Sequence, residues 1–314
     1  MQYYFAPMEG LTDHIFRKVH HTHFPGIDRY YTPFLSPTIH RQLTPKEKKE
    51  VPPANTLPYT VIPQLLTKNP EDFLWMARQC ADLGYPEVNL NLGCPSGTVT
   101  AKGKGSGMLQ DPDGLDSFLW EIFSKAPLPI SVKTRLGFQE PEEFPTLLDI
   151  YNRYPIKELT IHPRVRKDFY NGAVDMQAFA YAAQHAKMPL CFNGNIASLP
   201  DAEAIGNTFP NVQAVMIGRG LIGDPGMVTP GGTTASALEH FCTELMEAYT
   251  EAFGSSRNAM FRMKENWRYL SCRFENADKL YKKLRKAADL AQYKALTAEI
   301  FQTLPLKPFL TPDW

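Results

Sequence analysis

Glu87-Val88-Asn89-Leu90-Asn91-Leu92-Gly93-Cys94-Pro95 is a short apolar run that stops at a glycine, a cysteine and a proline. It reads as a β-strand ending at a forced turn, with Asn91 and Cys94 at its carboxyl end. In α/β enzymes that end of a strand carries the chemistry. Seven further runs rich in β-branched and aromatic residues flank it: Tyr3–Met8, Arg29–Leu35, Thr60–Leu66, Pro129–Arg135, Glu158–Arg164, Pro189–Asn195 and Ala214–Gly220. Most are near-continuously apolar, the pattern of parallel strands covered on both faces. Helix starts lie between them. Asn69-Pro70-Glu71-Asp72 combines a cap, a first-position proline and acidic first-turn residues, and Asp111-Pro112-Asp113 repeats the arrangement. Eight strands alternating with helices point to an α/β (β/α)8 TIM barrel. A doubly wound sheet would carry GxGxxG after its first strand, where this chain has Ala6-Pro7-Met8-Glu9-Gly10.

Past Gly223 the segment Pro225 to Thr234 is a Pro/Gly/Thr linker, and the pattern beyond it is helical. The expected division is a catalytic barrel over 1–232 and an all-helical domain over 233–314. The chain is neutral overall, yet Ser255–Lys294 holds eleven Lys or Arg against four Asp or Glu. So local an excess suggests a polyanionic partner. No run approaches the ~18 apolar residues of a membrane span, and the N-terminal residues lack the pattern of a signal peptide. Five widely spaced cysteines without a CxxC pair suggest neither a metal site nor a disulfide framework, so a cytoplasmic setting is expected.

Strand ends collect the polar residues. They are Pro7 and Met8, Gln64, Asn89, Asn91 and Cys94, Lys133 and Arg135, His162 and Arg164, Asn193-Gly194-Asn195, and Gly218-Arg219-Gly220. Glycines after the last two strands of such a barrel let backbone N–H groups approach a phosphate, and Arg219 would add a charge-assisted contact. Lys133 and His162 suit an electron-rich ring, and a cationic lysine beside a flavin pyrimidine would stabilise the charge that develops on reduction. Cys94, near Lys102 and Lys104, could serve as a nucleophile or a proton donor, and its position alone does not decide which. The loop Gly97–Gly107 has no Walker A spacing. Its glycines suggest a flexible lid and its lysines an anionic ligand.

Taken in series, APMEG (from Ala6), PQLL (from Pro63), NLNLGCP (from Asn89), VKTRLG (from Val132), IHPR (from Ile161), NGNI (from Asn193) and GRG (from Gly218) resemble the tRNA-dihydrouridine synthases. The stretch Lys264–Leu270, in the basic helical segment, extends the likeness. The resemblance implies an enzyme using FMN, reduced by NADPH or NADH, that transfers hydride to C6 of a uracil in tRNA. It assigns Cys94 as the acid that protonates C5. It implies flavin contacts at Pro7, Met8, Gln64, Lys133, His162, Asn193, Gly194, Asn195, Gly218 and Arg219. Asn91 and Arg164 would face the nucleotide, and Lys102 and Lys104 would be available to the tRNA. A monomer without metal is expected. Two positions depart from the pattern: Pro33 stands where a Glu is expected, and Ser96-Gly97-Thr98 follows GCP where relatives place a lysine. The rival reading is a dihydroorotate-type FMN dehydrogenase acting on a free pyrimidine, which has no use for basic C-terminal helices. A tRNA-binding barrel without catalysis is a further rival.

Overall fold

The computed structural model describes residues 1–313. Nine parallel strands form one sheet: β1 (Gln2–Phe5), β2 (Arg29–Tyr31), β3 (Val61–Ile62), β4 (Gln64–Leu65), β5 (Val88–Leu92), β6 (Ile130–Gly137), β7 (Leu159–Val165), β8 (Leu190–Asn193) and β9 (Ala214–Ile217). The hydrogen-bonded order is β3-β2-β1-β9-β8-β7-β6-β5-β4. The one run expected over Thr60–Leu66 is therefore two strands, cut at Pro63, which has no N–H to give to a ladder. β3 pairs with β2 and β4 with β5, so the two ends of the sheet are consecutive pieces of chain. That closes the barrel. The Pro63 carbonyl still accepts from Asn89 N at 2.8 Å.

The helix starts form as the sequence dictates. Asn69 Oδ1 accepts from Asp72 N at 3.0 Å and opens Pro70–Asp82, and Asp111 Oδ1 accepts from Gly114 N at 3.0 Å and opens Pro112–Lys125. Pro70 and Pro112 sit in the first turn, where their missing N–H is no loss. Inside the barrel Tyr4, Ala6, Tyr31, Ile62, Cys191, Ala214 and Met216 pack as one buried cluster.

The chain separates into two compact units. The first comprises Met1–Pro7, Asp28–Asn195 and Glu203–Met216, and the second comprises Met8–Ile27, Ile196–Ala202 and the chain from Ile217 onward. Within the second unit, Ala235–Phe253 is capped by Thr234 and Ser256–Leu270 by Ser255, and Asp278–Lys286 and Leu290–Thr303 follow. Trp267 is fully buried there, donating from Nε1 to the Tyr293 hydroxyl at 3.0 Å with Phe274 and Phe301 against its ring. Among the described residues no helix is long and apolar enough to cross a membrane.

Candidate active site

The turn that carries Cys94 is tied down on every side. Asn91 Oδ1 accepts from Gly93 N at 3.1 Å and from Cys94 N at 2.9 Å. Arg135 Nε donates to the Gly93 carbonyl at 2.8 Å, and Ser106 Oγ donates to the Cys94 carbonyl at 2.8 Å. With its backbone held, the turn presents the thiol. Cys94 is half-buried, whereas Cys80, Cys191, Cys242 and Cys272 are buried.

The two backbone donors at Asn91 orient a whole amide ladder. Asn91 Nδ2 must then donate to Gln64 Oε1 (2.7 Å), Gln64 Nε2 to Asn89 Oδ1 (2.8 Å), and Asn89 Nδ2 to Ser131 Oγ (3.0 Å). Sequence reasoning makes Asn91 and Gln64 ligand contacts. The structure brings them together and joins them first to each other. Asn89, a polar residue of the same strand, and Ser131, given no role from sequence, complete the ladder through strand register: Gln64↔Asn89 and Asn89↔Ser131 are aligned pairs.

Lys133 lies beside Asn91 in register. Burial, then the Arg135 guanidinium, pushes its ammonium down to about 7, while the Cys191 and Cys94 thiols act the other way. No carboxylate is among the groups that act on it, although part of its surface is open to solvent. The unfolded chain keeps this ammonium protonated until about 10.5. Between pH 7 and 10 the unfolded state therefore binds more protons, and stability rises with pH; below 7 both states are charged and the contribution is flat. Lys133→Met should abolish that rise in denaturant midpoint measured on cofactor-free protein, and an identical pH profile in both proteins would refute the assignment.

His162 and Arg164 meet directly: Arg164 Nη1 donates to His162 Nε2 at 2.9 Å, which leaves the ring hydrogen on Nδ1. The rest of the Arg164 guanidinium holds the following loop, through the Asn171 carbonyl (3.0 Å), the Gly172 carbonyl and Asn195 Oδ1 (3.0 Å). Tyr170 in that loop stacks on His162 at 6.1 Å and receives the Arg135 guanidinium at 5.4 Å. Sequence spacing gives no sign of Tyr170 or of this use of Arg135, because the loop after β7 folds back over its own strand end and meets the end of β6. Arg135 itself is buried, which lowers its guanidinium to about 10.

Asn193 Nδ2 donates to the Met216 carbonyl at 2.7 Å, and Gly194 follows at φ +149. A Cβ on Gly194 would stand 2.8 Å from Val174 Cγ1 and 3.2 Å from His162 Cδ2. Gly194→Ala is expected to lower stability by about 1–3 kcal/mol through strain and overpacking, read as a fall in thermal midpoint, and a neutral result would contradict the close packing. In the second unit, Met8 N donates to Thr12 Oγ1 at 2.9 Å, and Gly218 precedes the five-residue helix Arg219–Gly223. Gly220 is required by packing, since a Cβ there would meet the Ile196 carbonyl oxygen at 2.3 Å.

The glycine-rich loop, whose composition suggests a flexible lid, is folded. It folds as a helix over Gly97–Thr100 and a 3-10 turn over Gly105–Gln110, with Gly105 through Leu109 buried. Gly105 and Gly107 pack against Cys94 and Thr100 so closely that neither tolerates a Cβ. Lys102 is exposed, and Lys104 donates to Ser36 Oγ at 3.2 Å. At strand two, Pro33 offers no carboxylate, and the neighbouring Thr32 Oγ1 accepts from Gln64 N at 3.0 Å.

The barrel fold has known counterparts. Solved structures of morphinone reductase share the fold: one bound to tetrahydroNAD superposes with a TM-score of 0.50 at 12% identity over 72% of this chain and 85% of the other, and a mutant form of that enzyme gives 0.52 at 11%. The family model for dihydrouridine synthases matches residues 4–306. The chain belongs to that family. It is 30% identical to a probable tRNA-dihydrouridine synthase 1 of Synechocystis, over 75% of this chain and 64% of that one. It is 28% identical to a tRNA-dihydrouridine(16) synthase of Pseudomonas putida, over 97% of this chain and 98% of that one.

Proposed function

We propose that this chain is a flavin-dependent tRNA-dihydrouridine synthase, an oxidoreductase that reduces the C5=C6 bond of a uridine in tRNA with FMN as cofactor and NADPH as reductant. The observation that carries the reading is a thiol presented at a pinned turn beside Lys133 and Arg135, cations with burial but no carboxylate partner on Lys133. Such a donor set fits an electron-rich, phosphate-bearing ring system. When bound, FMN supplies the hydride to C6 and is itself reduced by the nicotinamide.

The chain's own residues do the rest. Cys94 donates a proton to C5 from its thiol, and Asn91, Arg135 and Ser106 keep the turn that aims it. Lys133 in its ammonium form stabilises negative charge on the ring it faces. Pro7, Met8, Gln64, His162, Asn193, Gly194, Asn195, Gly218 and Arg219 hold the flavin by family likeness. Asn91 and Arg164 serve the nucleotide, and Lys102 and Lys104 the tRNA. Residues 233–314 form the tRNA-binding domain, whose cations grip phosphates without reading sequence. The target base leaves its stack to reach the barrel. Relatives aligned over more than nine-tenths of both chains carry position 16 in their names, which makes it the first position to examine.

An anaerobic absorbance experiment tests the reading. The purified protein should be yellow, bleach with NADPH, and recover its colour faster with unmodified tRNA than without. Recovery with a free pyrimidine or a quinone, but not with tRNA, would replace it by the small-molecule dehydrogenase.

A further inference from the structure

The helix Ser256–Leu270 has two sides of opposite character. Ala259, Met260, Met263, Trp267 and Leu270 are buried. The other side carries Arg257, Phe261, Lys264 and Arg268 at i, i+4, i+7 and i+11, one stripe along the helix. In the middle of that stripe Phe261 is 47% exposed. A single exposed phenylalanine is ordinary on a protein surface. This one is set between charges: the Lys264 ammonium lies 5.2 Å from its ring centroid and the Arg257 guanidinium 5.8 Å.

The two cations are held differently. Lys264 donates to the Ala287 carbonyl at the end of the helix Asp278–Lys286, which fixes its ammonium in place. Arg257 is exposed, and its distance from the ring is wider than the ~3.5–4.0 Å of atoms in contact. The helix as a whole carries Arg257, Arg262, Lys264 and Arg268 against one acid, Glu265, which is taken up by Arg262 at 3.0 Å. The charge continues onto the next helix, where Arg268 and Arg285 both act on the Tyr281 phenol and Asp313 is the carboxylate that opposes them. A second copy of this face would bring the same cations together and be repelled. A nucleic acid supplies both halves of what the face offers, a phosphate for each arginine and a planar base for the ring. The base has to be unpaired, because within a duplex its faces are already stacked.

We propose that Phe261 is a stacking platform for an unpaired base of the tRNA, with Arg257 and Arg268 taking the phosphates that flank it. The platform rests on the reading of the chain as a tRNA-modifying enzyme, and it adds to the phosphate grip a contact that tells an open loop from a helix. As the base enters, the Arg257 guanidinium moves outward and pairs with phosphate through its fork of N–H groups. Lys264, tied to the Ala287 carbonyl, stays beside the ring, so the platform is largely placed before the RNA arrives and little entropy is lost in ordering it. Every base has a π face, so the contact selects an unpaired nucleotide and not a sequence.

The test compares the full chain with Phe261→Ala and Phe261→Trp, by filter binding of unmodified tRNA across a salt series. F261A should lose about 5- to 150-fold in affinity. Its salt slope should match that of wild type, because no charge has been removed. F261W, which offers a larger ring, should bind at least as tightly as wild type. A blunt RNA duplex, with phosphates and no open base, should bind all three proteins alike. The side chain is exposed, so the three should also melt together. Equal affinity of F261A and wild type for tRNA would overturn the platform. So would an equal loss on tRNA and duplex, which would make the ring a prop for the cations alone. Self-association of the wild type that F261A abolishes, with tRNA affinity intact, would give the face to a second copy, and loss of binding to anionic vesicles in its place would give it to lipid. Wild-type protein that binds no tRNA would fail the reading of function itself, whereas wild-type binding with an indifferent F261A fails the platform alone.

Discussion

Cys94→Ala is expected to stop dihydrouridine formation while leaving reduction by NADPH intact. In the proposed reading the thiol is the proton source at C5, and a positioned general acid is worth about 10²–10⁴-fold in rate. The loss should fall on reoxidation by tRNA alone, because the backbone bonds that hold the turn come from Asn91, Arg135 and Ser106 and do not involve the side chain. The measurement is two half-reactions by stopped flow: bleaching by NADPH at the wild-type rate, and recovery with tRNA slowed by at least about a hundred-fold. Undiminished dihydrouridine yield in the alanine protein would remove Cys94 from the chemistry. Cys94→Ser, with a far weaker acid on the same turn, should sit between the two.

The second large effect is expected at the helix Asp278–Lys286. Lys279, Lys282, Lys283 and Lys286 recur at i, i+3, i+4 and i+7 and lie on the solvent side, while Leu280 and Leu284 are buried. Changing the four lysines to glutamine removes the charge and leaves the buried leucines in place. Every phosphate no longer neutralised should reduce the salt slope of tRNA binding by ~0.7–0.9, so the four changes together should weaken affinity about 10- to 1,000-fold at moderate salt. Filter binding across a salt series reads this directly, and NADPH-driven bleaching should not change. Equal affinity and equal salt slope in the two proteins would move the RNA interface elsewhere. The eleven basic residues counted over Ser255–Lys294 are not all available to a partner. Arg273 is buried with Asp224 at 3.3 Å, and Lys264 donates to the Ala287 carbonyl.

The barrel was legible because parallel strands covered on both faces leave near-continuous apolar runs, and Asn69-Pro70 and Asp111-Pro112 mark helix starts that the folded chain uses. What the runs could not give was the break at Pro63, since one missing N–H is invisible in a hydrophobic pattern. The half-buried cysteine was legible from Gly93 and Pro95, which force a turn. The amide ladder through Asn89 and Ser131 was not, because its partners meet only through the register of strands distant in sequence. Tyr170 escaped because its loop folds back on the end of β7 to reach His162 and on to Arg135 of β6, a path that spacing does not show. The packing of Gly105 and Gly107 was not legible, because a glycine demanded by close packing and one demanded by motion are written with the same letter.

All neighbouring strands in the barrel are consecutive in the chain except β1 and β9. Assembly can therefore proceed by local addition along the chain, with β4 following β3 directly across Pro63 and a single distant closure left to the end. That closure depends on four residues, Gln2–Phe5, stitched to the far strand from Gln2 N to the Gln213 carbonyl at 2.9 Å. Losing them would do more than shorten a terminus. It would turn a ring into a ribbon with two bare edges, ready to pair with the ribbon of another molecule.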